Sequence, residues 1–88
     1  MTCEQNVRTA ARLYEARDTA KTVLGDKYAL RMFRGGQLLT KSARNSGQSV
    51  LTVAAHLAKK CEEDGRPFAA VVILAAAVEL IEPSEVAS

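Results

Sequence analysis

The single histidine, His56, is the first place to look for catalysis. Its neighbours one helical turn away are Thr52, Val53, Lys59 and Lys60. None is a carboxylate that would orient the ring as a general base. Cys3 and Cys61 have neither a paired spacing nor a histidine at zinc-finger distance, so neither a disulfide framework nor a zinc site is indicated. Cys61 falls on an apolar helical face and reads as a small buried residue. Glu79 and Glu82 lie three apart, without the histidine or second acidic pair that a helical metal site needs. Gly35-Gly36 is not followed by the Lys-Ser/Thr of a phosphate-binding loop. The sequence therefore predicts a protein that is not an enzyme, with no cofactor and no metal.

Anion binding is the chemistry the residues favour. From Lys27 to Cys61 there is no Asp or Glu, while Lys27, Arg31, Arg34, Lys41, Arg44, Lys59, Lys60 and His56 fall inside that stretch. The chain has 12 Lys and Arg against 10 Asp and Glu, a net +2 that conceals this polarity. The N-terminal part is balanced, and the end is acidic, with Glu62, Glu63, Asp64, Glu79, Glu82 and Glu85 against Arg66. Such asymmetry bears on partners rather than on fold. On a helix, Lys27, Arg31, Arg34 and Lys41 share an arc of roughly 80° opposite Tyr28, Met32, Gly36, Leu39 and Ala43. Like charges one turn apart repel by a few tenths of a kcal/mol. Phosphates would relieve them, with arginine forks giving bidentate contacts. His56 and Lys59 on the next helix are candidates for the same site. Tyr14, Tyr28 and Phe33 are candidates to stack on a base. The alternative is a solvated basic face that keeps the protein soluble.

The elements that must position these side chains are helices. With 88 residues the chain is one domain, residues 1–88. It has two Tyr, two Phe and no Trp, so its core must be Ala, Val, Leu and Ile. Apolar spacing predicts four helices, about 3–24, 27–44, 49–63 and 67–82, in a compact all-α domain with a loose tail at 84–88. Thr2 and Gln5 have the form of a capping box, Gly25 suits the end of the first helix, and Asp26 suits the start of the second. The phase of the second helix carries through Gly35-Gly36, which predicts one unbroken helix with Gly36 on its buried side. Each glycine costs about 1 kcal/mol relative to Ala, so a close packing contact is expected there. Asn45-Ser46-Gly47 is a turn, with Ser46 or Ser49 capping the third helix. Pro67 opens the fourth.

The fourth helix, Phe68 to Ile81, is apolar on all sides but for Glu79. A helix of that kind is buried all round. Self-association would supply the burial, with Ala69, Val72 and Ala76 as the subunit contact; the alternative is a monomer with this helix at its centre. The longest apolar run is shorter than the roughly 20 residues of a membrane span. The first residues do not read as a signal peptide. A soluble cytoplasmic protein with no membrane partner is expected.

Leu57-Ala58, Cys61, Gly65, Ala70, Leu74 and Ala77 sit near the motif positions of a tetratricopeptide repeat. Residues 51–83 thus resemble one such helical hairpin, with Ala54 in place of its Trp and Cys61 in place of its Tyr. The resemblance implies an antiparallel pairing of the third and fourth helices. In size and Ala-rich helices the chain is also similar to small phage and plasmid accessory proteins, such as anti-CRISPR inhibitors and sponges for cyclic nucleotide messengers. The expected function is therefore non-enzymatic binding of a nucleotide or nucleic acid through the basic helix face, in the manner of a counter-defence sponge or inhibitor. The alternative is an inhibitor or adaptor whose basic face docks on an acidic protein surface.

Overall fold

A computed structural model describes residues 3–82, and side chains from residue 11 onward. The expected cap at Thr2 and the tail at 84–88 lie outside the described residues. The elements are α1 (Cys3–Leu24), a 3-10 turn (Gly25–Lys27), α2 (Tyr28–Ser46), α3 (Val50–Glu63) and α4 (Pro67–Ile81). The described residues are all helix and short connections, with no strand. The radius of gyration of 12.7 Å is close to the ~12 Å of a compact chain of this length.

One boundary differs from expectation. No loop separates α1 from α2: the backbone stays helical from Cys3 to Ser46, so the four anticipated helices form three uninterrupted helical runs. Gly25, at φ +54°, bends the first run, a left-handed conformation that glycine adopts without a Cβ penalty. Asp26 does not cap α2; the N-cap position is Lys27, and no side chain bonds there. The 3-10 turn takes up the chain where a conventional cap was expected.

The other ends follow the residues. Gly47 closes α2, with its own N–H and that of Gln48 both donating to the Ala43 carbonyl. Ser49 caps α3, accepting from the Thr52 N–H at 3.1 Å. Pro67 stands in the first turn of α4, where its missing N–H leaves no gap in the ladder.

α4 is the centre of the molecule. It packs against α1, α2 and α3, whereas α1 and α2 meet chiefly at their shared bend. Ala70, Leu74, Ala75, Ala76, Ala77 and Val78 of α4 are buried. Ala75, Ala76 and Ala77 meet Ala20, Met32, Leu39, Ala43, Val53 and Ala54 in one cluster, and Ala70 and Leu74 meet Ala16 and Ala58 in an adjoining one. Part of the burial that suggested a second subunit is thus provided within one chain, while Phe68, Val71 and Ile73 stay half-buried and Leu80 and Ile81 are exposed. Ala76 is fully enclosed beneath α2, so it is not free to form the subunit contact expected of it. Ala69 and Val72 stay half-buried beside α2.

Candidate anion-binding face

α2 runs through Gly35-Gly36 without interruption. The reason is contact: a Cβ on Gly35 would stand 2.9 Å from the Ala76 Cβ, and one on Gly36 would stand 3.4 Å from Leu80 Cδ2. α2 therefore crosses α4 at backbone distance, with Met32, Gly36, Leu39 and Ala43 turned inward. This fixes the outer face. Lys27, Arg31, Arg34, Lys41 and Arg44 are all exposed, and none has an ion-pair partner among the described residues. α2 itself carries no acidic residue.

The crossing leaves a hollow on each side of α2. One, of about 260 Å³, places Arg31, Arg34 and Leu38 over Ala69, Val72 and Ile73 of α4. The other, of about 690 Å³, is lined by Phe33, Gln37, Lys41 and Arg44 with Leu80 at its edge. The residues expected to serve as a subunit contact, Ala69 and Val72, are thus neighbours of the expected anion site. Arg44, which lies outside the 80° arc of the helical projection, joins Lys41 because the second hollow curves round the helix.

The six expected ligand-binding residues do not converge. Lys59 lines a separate groove of about 630 Å³ between α1 and α3, with Arg12 and Glu62. There Arg12 Nη2 pairs with Glu62 Oε2 at 2.9 Å. His56 is exposed and lines none of the hollows described here. Of the six, Arg31, Arg34 and Lys41 stand on α2, with Lys27 at its N-cap.

Two of the three stacking candidates are engaged elsewhere. The Tyr28 hydroxyl donates to Glu79, and the Lys21 ammonium lies over its ring, 5.7 Å from the centroid. Burial, then the Glu79 hydrogen bond and charge, raise the Tyr28 phenol well above its ordinary range. The Tyr14 hydroxyl donates to Glu82, with the Arg17 guanidinium 5.3 Å from its ring centroid. That hydrogen bond is the main cause of a raised Tyr14 phenol. Arg17 Nη1 also donates to the Glu82 carbonyl at 3.0 Å, placing a cation at the negative end of α4. Together these groups clamp the end of α4 to α1 and α2. Phe33, 63% exposed, remains the aromatic side chain available on α2.

Sequence reasoning missed two features. Leu30 and Leu38, each 53% exposed, stand among the cations of α2. Carrying the helical projection past the buried face would have placed them there. The tyrosine–glutamate clamp joins residues 51 and 68 positions apart, and no local spacing announces it. Among the described residues no group of three or more His, Cys, Asp or Glu side chains could hold a metal ion, and no helix is long and apolar enough to cross a membrane. With this face, its two hollows and the clamp in place, no family model, curated protein or solved structure matches the chain.

Proposed function

We propose that this is a non-enzymatic binding protein that holds phosphate groups on the outer face of α2. One observation carries the reading: four exposed cations, Arg31, Arg34, Lys41 and Arg44, stand on α2 with Lys27 at its N-cap, α2 has no acidic residue, and none of the five has an ion-pair partner among the described residues. Their mutual repulsion is relieved when anions bind, and the arginine pair at the smaller hollow is suited to forked contacts with phosphate oxygens. A polyanion that neutralises several of them releases counterions, so its affinity must fall steeply with salt. A sponge for a small nucleotide is the counter-defence form of this reading.

The test is a titration with an oligonucleotide and with a cyclic dinucleotide across a salt series. Binding is expected, with log affinity falling as log salt rises. Arg31→Glu with Arg34→Glu should weaken it by tenfold or more, on the order of 1.4 kcal/mol, without moving the melting temperature. Failure of both probes to bind rejects a nucleotide or nucleic acid as the source of the phosphates, and binding indifferent to the double substitution rejects α2 as the site. A second reading, docking on an acidic protein surface, is favoured by the exposure of Leu30, Phe33 and Leu38 beside the same cations.

A further inference from the structure

We infer that the phosphate-bearing partner of α2 is an anionic lipid surface, on which the helix lies flat with Leu30, Phe33 and Leu38 entering the headgroup layer. The inference rests on the phosphate reading of α2 and names the source of the phosphates.

The side-chain rows of α2 carry it. Leu30, Arg34 and Leu38 are spaced i, i+4, i+8 and form one row on the outer face. Phe33, Gln37 and Lys41 form the next row. Each row mixes apolar groups with cations. Leu30, Phe33 and Leu38 are 53%, 63% and 53% exposed, so the helix presents large apolar side chains to water along the same face as its charges. Isolated exposed leucines are ordinary on protein surfaces. Three large apolar groups on the outward side of one acid-free helix are a pattern.

That pattern discriminates between partners. Nucleic-acid interfaces are polar and wet, and leucine side chains gain little on a phosphate backbone. Two of the three aromatic rings that could stack on bases are held by Glu79 and Glu82. A folded protein partner favours an apolar centre with a polar rim, whereas here Arg34 stands between Leu30 and Leu38 in one row and Phe33 shares the next with Gln37 and Lys41. A bilayer interface accepts such a mixture, because lipids rearrange around it: cationic heads stay at the phosphates while apolar groups sink to the acyl boundary. Spanning is not required, so the lack of a membrane-length helix among the described residues does not bear on it. α2 is about 28 Å long at 1.5 Å per residue, enough to lie across several headgroups.

The test is co-sedimentation of the whole protein with vesicles of phosphatidylcholine, with and without roughly one-third phosphatidylserine, beside an oligonucleotide titration of the same protein. Binding to the phosphatidylserine vesicles is expected, with roughly tenfold less to phosphatidylcholine alone. Leu30→Ser with Leu38→Ser should reduce vesicle binding by roughly tenfold while the melting temperature stays unchanged; Leu30→Ser alone serves if the pair unfolds the protein. Oligonucleotide binding without vesicle binding overturns the lipid inference and leaves the phosphate reading standing. Vesicle binding unaffected by the leucine substitutions shows attachment by charge alone and overturns the insertion. Binding to neither probe overturns both.

Discussion

Replacing Gly35 and Gly36 one at a time by alanine should move stability in opposite directions. At Gly35 the added methyl would stand 2.9 Å from the Ala76 Cβ. Carbon atoms rest at about 3.5–4.0 Å, so the approach is short by roughly 0.6 to 1.1 Å. Neither methyl can rotate away, and Ala76 lies within the buried Ala75–Ala77 layer, so α2 or α4 must shift as a body. Overpacking of this kind costs about 1–3 kcal/mol. Helix propensity returns about 1 kcal/mol, leaving a net loss of about 0–2 kcal/mol. At Gly36 the nearest atom is Leu80 Cδ2 at 3.4 Å, on a side chain 42% exposed and able to turn aside. There propensity prevails, and a gain of about 0.5–1 kcal/mol is expected. In a domain of this size each kcal/mol corresponds to about 4–8 °C in melting temperature. Thermal and urea unfolding followed by far-UV circular dichroism would separate the two variants. Adding Ala76→Gly to Gly35→Ala should show favourable coupling, since it removes the clash. Gly35→Ala as stable as Gly36→Ala would refute the close crossing.

Ser49→Ala removes the α3 cap and should cost about 1 kcal/mol, while Ser49→Gly should cost a few tenths, as read from urea midpoints. Tyr28→Phe breaks the bond to Glu79 and should cost about 1–2 kcal/mol. Because the Tyr28 phenol is raised in the folded state, its contribution is present in full below the ordinary tyrosine value of about 10 and is lost as pH climbs above it. Wild-type stability should accordingly fall above pH ~10, and Tyr28→Phe should flatten that fall in alkaline denaturation curves. Glu62→Gln breaks an exposed pair and should change stability by less than about 1 kcal/mol; a larger loss would give the Arg12 contact a role that solvent screening denies it.

Much of the fold was legible because helical periodicity is local. Met32, Gly36, Leu39 and Ala43 were separable from the cations by phase alone, and they are the buried residues of α2. Gly47, Ser49 and Pro67 act through their own backbone or a neighbour three residues away, so they too could be read directly. The bend at Gly25 was not legible, since a left-handed glycine serves a loop and a 3-10 join equally well. The place of α4 was readable only as a choice, because an all-round apolar helix is satisfied by three neighbours or by a subunit. The anion face was legible for its charges and not for its hollows, which depend on α4 passing beneath α2. The parting of Lys59 from α2 has the same cause: the projection of one helix carries no angle to the next.

The place of α4 also bears on how the chain is made. Translation delivers α1, α2 and α3 first, yet each of them has α4 as its principal neighbour. Until Pro67 to Ile81 have emerged, Ala16, Ala20 and Ala58 have no surface to close on. Domains ordinarily take shape from the N-terminal end as they leave the ribosome; here the keystone arrives last. The nascent helices must wait, with the apolar sides of α1 and α3 uncovered, so the interval before α4 appears is when aggregation or capture by a chaperone is most favoured.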